Sequence, residues 1–494
     1  MASNTSNTLE FTAPEIALAS HHPITILDYH PPSRSSHLPD EILLRIASGL
    51  NKQYESSEIT EWQSWVASMA RRNLSKVCLV GPAWRRVGQQ LLYRNYRSSK
   101  TLPLFLRTLI ECPGLGKHVE SVSLNNLPSS RGYRKEEATL FETRSKELGM
   151  YFPRRDAYRM DPQMPPDQEL QSFLAAMLLS HTPRVKHVKL QVHWPHSILT
   201  SLVASAKSLA LTPPRRSWTG LDNLAHIALG VMKTKAKSHL LIYDANDIFR
   251  TLQVAPNMTS IALFNYAPIK SSTKPCLEKL FRNLTTLKIG GKVEGMLLKN
   301  LETFCKYGKA IEEIHILAPE STRVGHVLVA LEPLAATLKR LRLSLGCDYN
   351  CPTWGRNGPD LLQRFTSLET LRLELARSRN DNRCWYEELR TRDFFESLPT
   401  SLRTLFLSGC NWEHEIDYRG RRQYDGISTL ASQVFRGALP EFQTLHFACD
   451  CVKGPQSEFT EIEKLGVKVV EFRHQFQEQG SDLAGLDVEN WKLH

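Results

Sequence analysis

The side chains best equipped for chemistry in this 494-residue chain are ten cysteines, seventeen histidines and a group of arginines that alternate with leucines. Cys347 with Cys351 and Cys449 with Cys451 are the closest-spaced thiols, and His414 follows Cys410. A structural zinc site needs ligand pairs at short fixed spacings. Neither cysteine pair has the two-residue gap, and no second pair lies at a suitable distance, so no metal is expected. Isolated thiols of this kind read as small buried hydrophobes. The sequence has no Gly-x-Ser-x-Gly, no His-Glu-x-x-His and no phosphate-cradling glycine loop. Gly114-Leu115-Gly116 lacks the third glycine of a dinucleotide turn and reads as a helix end. No catalytic residue and no cofactor are expected. The remaining chemistry is recognition. Arg340, Arg342 and Arg372, with Glu374 beside them and Phe406 and His446 at equivalent positions, would suit a carboxylate- or phosphate-bearing segment, because guanidinium forks grip such groups in pairs. The alternative is a solvated sheet face.

The elements that must position these residues are repeated. An apolar-x-x-apolar-x-apolar segment occurs at Val119–Leu124, Val185–Leu190, Leu224–Leu229, Met258–Leu263, Leu284–Ile289, Ile311–Ile316, Leu338–Leu343, Leu368–Leu373, Leu402–Leu407, Phe442–Phe447 and Val467–Phe472. Its last four residues alternate apolar and polar, which predicts a short strand with one buried face. Most copies follow a stretch of helical periodicity. The clearest has Val327, Leu328, Leu331, Leu334 and Leu338 on one face. One such helix and strand cannot bury their apolar faces alone, whereas stacked copies form a continuous core. The expectation is an α/β solenoid over 98–475, with parallel strands on the concave face and helices on the convex face. Side chains flanking the apolar positions then point into the concavity. These include Lys189, Lys288, His315 and Glu471 as well as the six recognition residues. An α/β domain of another topology is the alternative.

The net charge of +11 is concentrated between residues 131 and 220, around Arg154, Arg155, Arg215 and Arg216. Proline, serine and glutamate surround these arginines, so they read as a solvated loop and not as a nucleic-acid surface. The charged, proline-bounded stretch 128–168 reads as an excursion from the array, partly helical and weakly periodic. Residues 1–35 and 476–494 read as tails. No apolar stretch is long enough to span a membrane, and the N-terminus does not read as a secretory signal, so an intracellular protein of the cytoplasm and/or nucleus is expected.

Residues 36–97 differ in kind. Pro39 fits a first helical turn, Asp40 and Glu41 complement the positive helix end, and Ile42, Leu43, Ile46 and Leu50 form an apolar stripe. Leu74, Val77, Cys78, Val80, Trp84, Val87, Leu91 and Leu92 add more apolar surface than so short a segment can bury by itself. It needs a partner, either the array or another protein.

Leu38-Pro39-Asp40-Glu41-Ile42-Leu43, followed by Leu74-x-x-Val77-Cys78-x-Val80-x-x-x-Trp84, resembles the F-box, a three-helix module. The repeats resemble the leucine-rich repeats, over roughly residues 115–475. The resemblance implies that Leu38, Pro39, Ile42, Leu43, Ile46, Leu74, Val77, Cys78, Val80 and Trp84 bind a Skp-type adaptor, and through it a cullin. It also implies that the array binds a protein substrate for ubiquitylation. Two departures stand out. Residues 51–73 separate the two halves of the box as an insertion that either rests on the solvent side or obstructs the adaptor. The Asn or Cys that the repeat family places three residues after the last strand leucine is matched only by Cys410. The alternative function is a non-catalytic repeat scaffold outside the ubiquitin system, with residues 36–97 capping the first repeat.

Overall fold

The computed structural model describes residues 39–52, 72–97, 101–125, 135–150, 152, 166–191, 221–230, 249, 252, 255–264, 266, 269, 274–291, 294–318, 322–346, 358–376, 392–410, 425–449 and 456–472. Leu38, both tails, residues 53–71 of the insertion, the arginines at 154, 155, 215 and 216, and the cysteines at 347, 351 and 451 lie outside these.

All eleven repeated segments form strands: β2 (Ser121–Asn125), β3 (His187–Gln191), β4 (His226–Gly230), β5 (Ser260–Phe264), β6 (Thr286–Gly290), β7 (Glu313–Ala318), β8 (Arg340–Gly346), β9 (Thr370–Ala376), β10 (Thr404–Cys410), β11 (Thr444–Cys449) and β12 (Lys468–Phe472). A two-residue strand, β1 (Asn95–Tyr96), precedes them. The twelve pair in parallel, each with its sequence neighbours, in one sheet. Strictly sequential parallel order is what stacking of one unit on the next produces, and the arrangement is solenoid-like. The chain is thus α/β, as its periodicity predicts.

Three apolar positions of each copy from β2 to β11 are buried in a single core, as with Leu338, Leu341 and Leu343 or Leu402, Leu405 and Leu407. The entry residue of every copy is among them, so each strand is anchored before it begins. Register is held by the backbone at the same point. At each step from Glu120 to Arg403 one carbonyl accepts two successive N–H groups of the next repeat, for example Glu312 from Lys339 and Arg340. A second ladder uses side chains just before the entry residue. Asn223, Asn257, Asn283, Ser367 and Ser401 each donate to a backbone carbonyl of the preceding repeat.

The last copy departs from its expected phase. Val469 pairs with Leu445, Val470 with His446 and Glu471 with Phe447. The spacing of apolar residues places Val470 on the core face, but a single residue, Lys468, separates the buried Val467 from the core-side Val469. Elsewhere two residues separate the entry residue from the first core position, as between Leu338 and Leu341. The Gln443 carbonyl accepts only from Lys468, so the doubled bond that fixes the other strands is missing here. Glu471, expected on the concave face, therefore stands at a core-side register position.

Helices run on the other side: α4 (Leu102–Glu111), α5 (Lys135–Glu147), α6 (Pro166–Ser180), α7 (Lys274–Phe281), α8 (Glu294–Tyr307), α9 (Val324–Leu331), α10 (Gly358–Gln363), α11 (Arg392–Glu396), α12 (Asp425–Phe435) and α13 (Gln456–Lys464). Neighbouring helices pack together: α4 with α5 and α6, α7 with α8, α8 with α9, α9 with α10, α11 with α12 and α12 with α13. α5 corrects part of the expected excursion. Its charged sequence conceals an apolar stripe, and Phe141, Leu148 and Met150 are buried in the common core. Arg144 anchors it by donating from Nε to His181 Nε2 at 2.9 Å, while His181 Nδ1 meets the Met177 carbonyl at 2.8 Å. Among the described residues no helix is long and apolar enough to cross a membrane.

Candidate functional site: an exposed apolar module and a charged sheet face

The described N-terminal residues form three helices: α1 (Asp40–Lys52), α2 over 72–80, and α3 (Pro82–Arg94). The Pro39 carbonyl takes the first N–H groups, from Ile42 and Leu43. Asp40 accepts from Arg86 Nε and Nη2 at 2.8 and 2.7 Å, which ties α1 to α3 and holds the Asp40 carboxyl below its ordinary range. α3 starts with Pro82 just inside its N-terminus, where a missing N–H costs nothing.

Leu43, Ala47, Leu74, Val87 and Leu91 form a small core separate from that of the array, with Trp84 and Leu92 packed against it. A Cβ on Gly88 would lie 2.6 Å from Cys78 Sγ, so Cys78 fills the contact between α2 and α3. Burial raises its thiol pKa, consistent with a packing role.

The expected adaptor-binding residues therefore divide. Leu43 and Leu74, each 3% exposed, are inside the module and can act only by holding it together. Val77, Cys78 and Trp84 are half-buried. Pro39, Ile42, Ile46 and Val80 are exposed, and so is Leu79, which the motif does not single out. Leu79 and Val80 are 78% and 70% exposed. Among the described residues only four other large apolar side chains, Leu104, Val329, Phe435 and Leu465, are comparably open, and they are scattered over the array.

On the array, strand alternation brings all six predicted recognition residues to one face. Lys288, His315, Arg342, Arg372, Phe406 and His446 lie in register across six neighbouring strands, β6 to β11. The arginines are not open forks. Glu374 accepts from Arg342 Nε at 2.9 Å and Nη2 at 2.8 Å, and from Arg372 Nε at 2.6 Å, with the Ser344 hydroxyl on the same carboxylate. Burial pushes the Glu374 pKa up, but the two guanidinium charges and these hydrogen bonds more than offset it, leaving it below the ordinary value.

Arg340 belongs to a second network. It donates to Glu313 Oε2 at 2.9 Å, and His315 Nε2 lies 2.8 Å from Glu313 Oε1. The His315 hydrogen bond, opposed by burial and joined by Arg340, pulls Glu313 down to about 2. Burial lowers His315 and Lys288 as well. Beyond Arg372 the row becomes aromatic. The guanidinium sits 5.4 Å from the Phe406 ring centroid, and Phe406 stacks on His446 at 4.0 Å with planes 9° apart.

Glu313 and Ser344 were not anticipated as part of this site. Both share the strand parity of Arg340, Arg342 and Arg372, and that was the signal available. Toward β4 the face turns apolar: Ala228, Ala262 and Phe264 are buried together against Leu317. Among the described residues no group of histidine, cysteine and acidic side chains is placed to hold a metal.

Comparison with known proteins leaves this geometry to stand by itself: no family model matches the chain, and no curated protein matches it.

Proposed function

We propose that the chain is the substrate-recognition subunit of a Skp-cullin-F-box type ubiquitin ligase. Residues 39–94 act as the F-box and the array as an irregular leucine-rich-repeat receptor for a protein substrate. The observation that carries this reading is the module itself. The two separated motif halves fold on one small core, yet leave Ile42, Ile46, Leu79 and Val80 exposed. Apolar side chains exposed at that density on so small a unit mark a binding surface. Such a subunit performs no bond chemistry. It works by proximity, raising the effective concentration of a bound substrate beside a ubiquitin-charged enzyme.

The second reading, a repeat scaffold whose helical module is a terminal cap, draws on the packing of α3 against the 3-10 turn Pro113–His118 at the start of the array. Co-purification with a Skp-type adaptor separates the two. The wild-type chain should retain the adaptor, and Ile42→Glu/Ile46→Glu and Leu79→Glu/Val80→Glu should each lose it. Their helical circular dichroism should stay unchanged, because these positions are exposed. No retention by the wild-type chain would favour the cap.

A further inference from the structure

We infer that the concave face selects an extended peptide carrying an acidic group about three residues from an aromatic one. This deepens the receptor reading above and rests on it.

The described side chains of concave parity include six cations, Lys189, Lys288, Arg340, Arg342, Arg372 and Lys468, against two carboxylates, Glu313 and Glu374. The internal pairs thus leave the face positive, and an acidic ligand complements it. Arg340, Arg342 and Arg372 have side chains 52%, 25% and 33% exposed, so a ligand reaches all three. Their pairing with Glu374 and Glu313 fixes the guanidiniums in position before a ligand arrives, which lowers the ordering cost of binding.

The neighbouring platform is of another kind. Phe406 is a half-buried ring on a polar part of the sheet face, flanked by Thr370, Thr404 and Thr444 at the preceding row. With His446 stacked on one face and Arg372 over the other, the ring offers its edge, which suits the face of an aromatic side chain in edge-to-face contact.

Spacing joins the two halves. From the Arg342–Arg372 pair to the Phe406–His446 pair is two strand intervals, about 10 Å at ~4.8 Å per strand. An extended chain covers about 3.3 Å per residue, so acidic and aromatic groups about three residues apart would reach both. A nucleic acid is the less fitting polyanion, because Glu313 and Glu374 sit within the face and repel a continuous phosphate backbone.

The test is fluorescence anisotropy on the full chain with fluorescein-labelled peptides of the form acid-(Gly)n-Phe. The acid is either a glutamate pair or phosphoserine, so that carboxylate and phosphate are distinguished, and n runs from 0 to 6. Affinity should peak at n = 2 and exceed the values at n = 0 and n = 6 by at least fivefold. Phe406→Ala should flatten the spacing profile, and Arg340→Ala/Arg372→Ala should weaken the n = 2 peptide at least fivefold. In the double variant Glu313 keeps His315 and Glu374 keeps Arg342, so the fold is preserved. Equal affinity at all spacings, equal binding of a lysine-for-acid peptide, or tighter binding of an oligo-dT strand would overturn the inference. Adaptor capture is read in parallel. Capture without peptide preference sinks this site alone, and peptide preference without capture sinks the ligase reading alone.

Discussion

Replacing Glu374 by glutamine tests whether the concave charges are structurally coupled. Glu374 is 15% exposed and serves two guanidiniums that face each other across β8 and β9. At about 4 Å and an effective dielectric near 20, each attraction is worth about 4 kcal/mol before desolvation, and the repulsion between the guanidiniums about 3 kcal/mol. Glu374→Gln removes both attractions and leaves the repulsion. It also removes the cost of burying the carboxylate, and the arginines, a quarter to a third exposed, can turn toward water. The net loss should therefore be about 2–4 kcal/mol, somewhat below the ~3–5 kcal/mol of breaking a fully buried pair.

Because a repeat array need not unfold in one step, the readout is local. Hydrogen exchange of the β8 and β9 amides should quicken, with that of β2 and β3 unchanged. Adding Arg342→Gln removes the repulsion, so the double variant should recover at least ~1 kcal/mol relative to additivity. A cost under ~0.5 kcal/mol, or strict additivity with Arg342→Gln, would refute the coupling and leave Glu374 as a solvated surface carboxylate.

Three other outcomes follow from local packing and titration. Gly116→Ala places a Cβ 2.0 Å from the His181 carbonyl oxygen, a backbone atom that cannot swing aside, and should cost about 2–3 kcal/mol by thermal unfolding. Phe141→Ala empties a fully buried site and should cost about 3–5 kcal/mol, with exchange protection lost across 135–150. Unchanged protection there would show that α5 is not docked. Burial lowers the His181 pKa to about 4, so between an unfolded value near 6.5 and this folded value the unfolded chain binds the extra proton. Stability should then fall by about 2 kcal/mol from pH 7 to pH 5, and His181→Gln should remove that part of the slope.

Strand positions were legible because alternation is a local rule. Each Leu-x-x-Leu-x-Leu segment states its buried face within six residues, and all eleven became strands. The last was out of phase because Val467-Lys-Val469-Val470 offers two apolar residues in succession, and either can be read as the core position. The docking of α5 was missed because its charges outweigh the few positions that pack, notably Phe141. The ladder of Asn223, Asn257, Asn283, Ser367 and Ser401 was overlooked because the polar signal was sought after the strand, whereas here it lies just before the entry residue. In the module, the motif marked which residues are apolar but could not separate Leu43, which closes the core, from the exposed Ile42 and Ile46 on the adjoining side of the helix.

The engagement of the recognition arginines has a different physical origin. Arg342 and Glu374 are 32 residues apart and Arg340 and Glu313 are 27 apart, because each pair joins neighbouring repeats of unequal length. Strand parity places each of the four side chains on the same sheet face without reference to the others. Which carboxylate meets which guanidinium depends on the register between strands, and from β7 to β9 that is fixed by carbonyls that each accept two N–H groups of the next repeat. A one-residue slip in the stacking would turn Glu374 to the core face and leave Arg342 and Arg372 without it. Recognition chemistry and repeat register are therefore coupled. A change at a strand entry such as Leu368, which touches no ligand, should alter binding on the concave face as well as stability.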